Sequence, residues 1–302
     1  DYMWGTIWGN RTTGPTAGQI KYFVPVGPVT LVAAYAKESE RDYSSNFPYN
    51  DYFRALVGGS TFSSMSEDRD YDSYRVGFIY NFKGNNFAGE AGALFIYNND
   101  SQSRDTWAAT TALFPTTGGR ALPFQLNVYY LQPYFKAKIG PVALQGELWW
   151  MTGKAMEWEE IPGAFTAGDV KVNSLSAFLD GDANFGIFSV GGSFAYVSGD
   201  GDPTDNVVRN AITGGRDWDP CLIMFNNTTL NSWVGGIGSS YVANNIGGEM
   251  TNAWFGQLRG SVTPVPQFTA ALSISYARAD RVPTGYQADY GWEVDLTGTY
   301  RI

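Results

Sequence analysis

The chain has 302 residues, a formal net charge of −9, and 16% charged residues against 16% aromatics. With no His and one Cys it cannot be a Ser-His-Asp or Cys-His hydrolase, a disulfide scaffold or an iron–sulfur protein, and most zinc chemistry is excluded too. The acidic balance argues against a nucleic-acid surface, and the aromatic content against a disordered chain.

No run of 18 apolar residues occurs, and mean hydropathy is −0.21, so no transmembrane helix is predicted. No secretory leader is recognisable. Because the chain opens on Asp1-Tyr2-Met3-Trp4, already strand-like, a mature or trimmed product is expected.

What recurs instead is period-2 alternation punctuated by Gly and Pro, the mark of strands. Twelve strands are predicted. Residues 2–9, 18–26 and 29–37 open the series. Residues 74–83 set Tyr74, Val76, Phe78, Tyr80 and Phe82 on one face, with Arg75, Asn81 and Lys83 on the other. Residues 87–97 and 126–139 follow. In 142–150, Val142, Leu144, Leu148 and Trp150 alternate with Gln145, Glu147 and Trp149. In 175–185, Leu175, Ala177, Leu179 and Phe185 alternate with Phe178, Asp180 and Asp182. After 187–198 come 254–262, with Trp254 and Leu258 opposite Gln257 and Arg259, and 268–277, with Phe268, Leu272, Ile274 and Tyr276 on one side. Residues 290–302 close the series, Tyr290, Trp292, Val294, Leu296 and Tyr300 against Glu293, Asp295, Thr297 and Arg301.

Short and long connections alternate strictly. The short ones are Gly27-Pro28, Gly84-Asn85-Asn86, Gly140-Pro141, Gly186 and the Pro264-Val265-Pro266 stretch; the long ones cover roughly 38–73, 98–125, 153–171 and 199–250, with 10–17 and 280–289 shorter members. Loops this long are unusual in a compact soluble domain. They are the rule at the outer end of a membrane barrel, whose periplasmic turns are short. In hydrocarbon every backbone N–H and C=O must be paired within the protein, so only helices and closed barrels span, and strands of about 9–11 residues suffice. The fold class expected is therefore all-β: one antiparallel transmembrane β-barrel domain over 1–302, with about twelve strands in this chain and more if it is a fragment. Against it stands a soluble sandwich or propeller, which would leave aromatic stripes on a dozen strands in water and lacks a 40–50-residue repeat.

The alternation assigns Arg75, Glu90, Glu147, Asp180, Asp182, Arg259, Glu293 and Asp295 to the lumen as pore-lining residues. Lys21, Lys83, Lys136, Lys138 and Arg301 fall on inward faces or lower strand ends, which leaves the lumen nearly balanced and the acidity in the exterior loops. Opposed acidic and basic walls would orient dipolar solutes and tune ion selectivity. Inward Trp149 and Phe178 offer either stacking surfaces for sugars or packing for an infolded loop.

These features resemble Gram-negative outer-membrane porins. Ser198-Gly199-Asp200-Gly201-Asp202-Pro203-Thr204-Asp205 and Asp217-Trp218-Asp219-Pro220-Cys221-Leu222 look like the loops of alginate-export-type porins. The chain departs from that pattern in having fewer strands and in ending on Arg301-Ile302 rather than on an aromatic residue. The resemblance implies the bacterial outer membrane, with lipid and small hydrophilic solutes or ions as partners. It leaves a homo-oligomer open, and the acidic balance excludes nucleic acid.

Three loop features carry alternatives. Asp200, Asp202 and Asp205 have oxygen ligands at close spacing, which reads as a calcium site or as a solvated acidic turn; Ala211 stands where an EF-hand would place its closing Glu. Cys221-Leu222-Ile223-Met224-Phe225 is apolar within the polar 199–250 connection. That loop therefore folds into or over the lumen, or packs on a neighbouring loop or protomer. Glu157, Glu159 and Glu160 around Trp158 could suggest glycosidase chemistry, but an exterior acidic loop accounts for them. No catalysis and no resident cofactor is required. The function expected is passive diffusion through a water-filled channel. The alternative is a plugged, structural or adhesion-type barrel whose loops bind partners, and a carboxylate-based outer-membrane hydrolase comes third.

Overall fold

The computed structural model describes residues 5–6, 18–39, 70–101, 116–117, 120–121, 124–158, 168–202, 204–211, 218–226, 250–282 and 285–302. In chain order the strands are β1 (Gly18–Val26), β2 (Val29–Ser39), β3 (Tyr71–Lys83), β4 (Phe87–Asp100), β5 (Thr116–Thr117), β6 (Arg120–Ala121), β7 (Phe124–Ile139), β8 (Val142–Trp158), β9 (Val170–Phe185), β10 (Phe188–Val197), β11 (Val207–Val208), β12 (Ala253–Val265), β13 (Phe268–Ala279) and β14 (Asp289–Tyr300). Eleven long strands and β11 make one twelve-stranded sheet in the order β1-β2-β3-β4-β7-β8-β9-β10-β12-β13-β14, and β5 and β6 pair separately. Every neighbour along that order is antiparallel, while β11 pairs in parallel with the start of β9. No helix occurs among the described residues. The architecture is an up-and-down all-β barrel wall.

The short connections all fall at one end of the sheet. Gly27, Gly140 and Gly186 each take the first central position of a two-residue turn with φ of 61°, 57° and 66°. A positive φ there lets the turn follow the right-handed twist of its strands, and only glycine adopts it without a Cβ clash.

Of the twelve predicted strands, eleven correspond to long strands of the sheet. The expected first strand at 2–9 lies mostly outside the described residues, and its two described residues, Gly5 and Thr6, form a bend. Strands also extend beyond the predicted limits at the long-connection end, most of all β8, which reaches Trp158.

Registers carry one face continuously across all eleven strands. Val76, Phe78, Leu131, Leu179, Leu258, Leu272, Ile274, Val294 and Leu296 lie on it and are exposed. Aromatic rows bound this apolar belt. Toward the long connections, Tyr35, Tyr74, Tyr97 and Tyr129 follow one another with ring centroids 5.3, 6.1 and 5.0 Å apart; Tyr196 meets Trp254 at 4.3 Å and Tyr276 meets Trp292 at 4.8 Å. Toward the turns stand Phe82, Phe87, Phe185, Phe188, Phe268 and Tyr300. Between these rows no strand places a charge on this face. An uncharged belt between aromatic girdles is the lipid-facing surface of a membrane barrel, because a Lys or Arg at its midplane costs about 2–4 kcal/mol.

Tyr290 corrects the expected facing. A register shift between Ala277 and Arg278 and a φ of 109° at Gly291 turn its side chain inward, where the ring meets Phe225 at 5.8 Å and the hydroxyl donates to the Asn252 carbonyl at 3.1 Å. Glycine inside a strand commonly marks such a bulge.

Candidate functional site

The inner face carries the polar chemistry. On β3, Arg75 forms an ion pair with Glu38 of β2 and donates from Nε to the Ser73 hydroxyl at 3.0 Å. On β4, Glu90 accepts the Tyr134 hydroxyl at 2.5 Å and stands directly opposite Lys136 of β7. On β8, Glu147 is 4% exposed. Its Oε2 accepts the backbone N–H and the hydroxyl of Thr6, both at 2.7 Å, and its Oε1 accepts the Trp149 indole N–H. A Cβ at Gly5 would lie 2.8 Å from Oε1, and the φ of 93° there is one that glycine adopts without strain.

Next along the wall, Arg259 of β12 holds two acids of β9. It reaches Asp182 Oδ1 at 3.0 Å and Oδ2 at 2.5 Å, Asp180 at 2.8 Å, and the Ser193 hydroxyl at 2.6 Å. Asp180 also accepts from Ser193 at 2.6 Å and from Gln145 at 3.3 Å. The fork geometry of guanidinium suits this shared grip in a way an ammonium would not.

Glu293 and Asp295 of β14 serve a different task. Glu293 accepts the backbone N–H groups of Ile223 and Met224 at 2.8 and 2.7 Å, and Asp295 that of Leu222 at 3.4 Å together with the Ser273 hydroxyl at 3.3 Å. Residues 218–226 therefore lie against the inner wall. Trp218 packs edge-on against Phe178 at 4.9 Å and Phe255 at 5.8 Å, and Phe225 packs on Phe255 at 6.0 Å. Cys221, Met224, Phe225, Met250 and Phe255 form one buried cluster with Phe178. Gln257 donates to the Pro220 carbonyl at 2.5 Å, and Asn226 Nδ2 to the Cys221 carbonyl at 2.7 Å. Phe225 takes a φ of 54°, a left-handed conformation uncommon for a bulky residue. Phe178 is thus covered by Trp218, and the Trp149 indole N–H is bound to Glu147. Burial pushes the Cys221 thiol up to about 12.

Cys221, Glu293 and Asp295 are the one group among the described residues with three metal-type ligand atoms within 4.8 Å of one another. The carboxylate oxygens there already receive the amides of residues 222–224.

The acidic turn at 200–205 is internally satisfied. Asp200 accepts the N–H of Asp202 at 3.1 Å and of Arg209 at 3.1 Å; Asp202 accepts the N–H and hydroxyl of Thr204 at 3.0 and 2.6 Å. Asp205 pairs with Arg209 at 2.8 Å. Those donors hold Asp202 and Asp205 below the ordinary carboxylate value. Glu157 pairs with Lys154 at 2.5 Å and accepts from Asn127 at 2.9 Å, and Lys154 also pairs with Asp169 at 2.9 Å. Glu159 and Glu160 lie outside the described residues.

Several inner-wall residues escape a reading by alternation alone. Glu38 sits in a stretch read as loop, and Thr6 in one read as strand. Trp218, Phe225 and Gln257 matter through contacts distant in sequence. The apolar run Cys221–Phe225 was the one visible signal that this stretch needs burial.

No family model matches the chain, and no curated protein matches it. Among solved structures it is similar to a porin refined at 1.8 Å (13% identity, 99% of this chain, 65% of that one, TM-score 0.41). It is also similar to Pseudomonas putida OprB (11% identity, 93% and 57% covered, TM-score 0.41) and to the FrpB iron transporter of Neisseria meningitidis (10% identity, 94% and 38% covered, TM-score 0.46). The chain spans less than two thirds of the length of each of these barrels.

Proposed function

We propose that the chain forms a water-filled channel in a bacterial outer membrane, through which small hydrophilic solutes or ions diffuse passively. The observation that carries this reading is the two-sidedness of the wall: an apolar face that runs across the eleven long strands and is bounded over most of them by aromatic rows, and an inner face that carries Arg75, Glu90, Glu147, Asp180, Asp182, Arg259, Glu293 and Asp295. Charges on the concave side of a lipid-embedded sheet are tolerable only where water or protein solvates them. The long 199–250 connection, through its docked residues 218–226, narrows the bore and sets its cut-off. Solutes move down their gradients, and no residue is asked to make or break a bond.

A second reading, a barrel closed by its own loops and used for partner binding, is favoured by one feature: both Gly5–Thr6 and residues 218–226 lie on the inner wall. Osmotic swelling of proteoliposomes separates the two. A channel admits small sugars and amino acids at rates that fall with solute size. Liposomes with folded protein that swell no faster than empty ones would refute the channel and leave the closed barrel.

A further inference from the structure

Two segments from outside the sheet lie on the inner wall, and they meet at neighbouring residues. Glu147 of β8 stands directly opposite Phe178 of β9, which carries Trp218 of the docked stretch 218–226. Glu147 itself carries Thr6, whose backbone N–H and hydroxyl both donate to Oε2 at 2.7 Å. Trp149 touches both contacts. Its indole N–H donates to Glu147, and its ring packs against the buried cluster that holds Phe178, Cys221 and Phe225. Thr6 is 5% exposed, so its contact with the carboxylate is shut off from water. In height it falls within the membrane-spanning part of the wall, because Leu144 and Leu148 flank Glu147 on the opposite face of β8. Thr6 is tied through the chain to Gly18, the first residue of β1, and β1 stands five places along the sheet from β8. Five strand spacings of about 4.8 Å make about 24 Å along the wall. One contact inside the barrel thus ties the chain ahead of β1 to a distant strand.

We propose that the Thr6–Glu147 contact is an autoinhibitory latch. It holds Gly5–Thr6 in the bore beside residues 218–226, keeps the channel at a reduced conductance, and widens the path when it lets go. The inference rests on the channel reading above. The latch is separable from the docked loop, because the loop hangs on Glu293, Asp295, Gln257 and Phe255 of β12 and β14, whereas the latch hangs on β8. It is also reversible. Water in a channel can hydrate the Glu147 carboxylate in place of Thr6, and such an exchange of one set of hydrogen bonds for another leaves a small net difference. Gly5 sets the geometry. Its φ of 93° makes the bend, and a Cβ there would lie 2.8 to 3.0 Å from the three carboxyl atoms of Glu147. The carboxylate can swing aside from such a Cβ only by giving up Thr6.

Single-channel recordings of the full chain in planar bilayers test this. The wild type should show one step size, with the latch closed. Thr6→Val keeps the shape of the side chain and removes the hydroxyl donor; Gly5→Ala keeps both donors and disfavours the bend. Both positions lie outside the sheet, so the wall should fold as before, which gel mobility that shifts on boiling checks. Losing a hydrogen bond to a charged group should shift the latch equilibrium by about tenfold or more. Both variants should therefore visit a second, larger conductance level about tenfold more often than the wild type, or more. Glu147→Gln, which keeps the size of the acceptor and removes its charge, should act in the same direction. Conducting variants whose larger level is no more frequent than that of the wild type overturn the latch and leave the channel standing. Folded protein that carries no current, with or without these substitutions, overturns the channel, and the latch with it.

Discussion

Leu258 tests whether the apolar face meets lipid. It lies near the middle of β12, opposite Gly192 and Ile274, and is 74% exposed. In a soluble sheet an exposed Leu→Arg change is usually within about 0.5 kcal/mol of neutral. In a lipid-facing belt the guanidinium must be dragged to the bilayer midplane, at about 2–4 kcal/mol, or roughly 30- to 800-fold in the folding equilibrium. Tyr300 stands on the same face but in the aromatic row at the turn end of β14, so Tyr300→Arg should cost only about 0–1 kcal/mol. Equilibrium unfolding of wild type and both variants in phospholipid vesicles measures the difference. A Leu258→Arg cost indistinguishable from zero, or no larger than that of Tyr300→Arg, would refute a membrane-embedded face.

Phe255 is 1% exposed, and both Trp218 and Phe225 pack on it. Phe255→Ala should therefore destabilise by about 3–5 kcal/mol in the same assay and enlarge the conductance step, and a change below about 0.5 kcal/mol would mean that residues 218–226 are not docked there. The Cys221 thiol, buried and with a pKa pushed up to about 12, should resist alkylation in the folded protein at neutral pH and react on unfolding; Glu293→Gln, which weakens the anchor of residues 222–224, should speed labelling, and rapid labelling of the wild type would contradict the docked position. Asp205 is held low by Arg209, so its contribution is full above the ordinary value near 3.8 and is lost as pH falls through its lower folded value. Hydrogen-exchange protection of Val207 and Val208 should thus persist at mild acidity and fall below about pH 3.8, whereas Arg209→Gln should lower it already at neutral pH. Protection that ignores both changes would remove the ion pair from the account.

Most of the wall is legible in the sequence because one face must be apolar wherever lipid touches it. Val142, Leu144, Leu148 and Trp150 alternate with Gln145, Glu147 and Trp149 for that reason, and the register confirms the two faces. Legibility fades where the constraint does. The ends of β4, β7 and β8 project past the aromatic row, where no lipid enforces an apolar face, and the segments read as loop although they are strand. Tyr290 departs from the alternation because a bulge at Gly291 breaks the period of two. At the inner wall, alternation finds which side chains point inward but not their partners. Glu38 for Arg75, Thr6 for Glu147 and the amides of 222–224 for Glu293 come from segments whose path depends on tertiary contact.

Single-channel recording tests the central claim most directly. Folded protein, identified by gel mobility that shifts on boiling, should insert into a planar bilayer and give discrete current steps of uniform size, linear in voltage. A bilayer that stays sealed with the same folded protein would contradict the account.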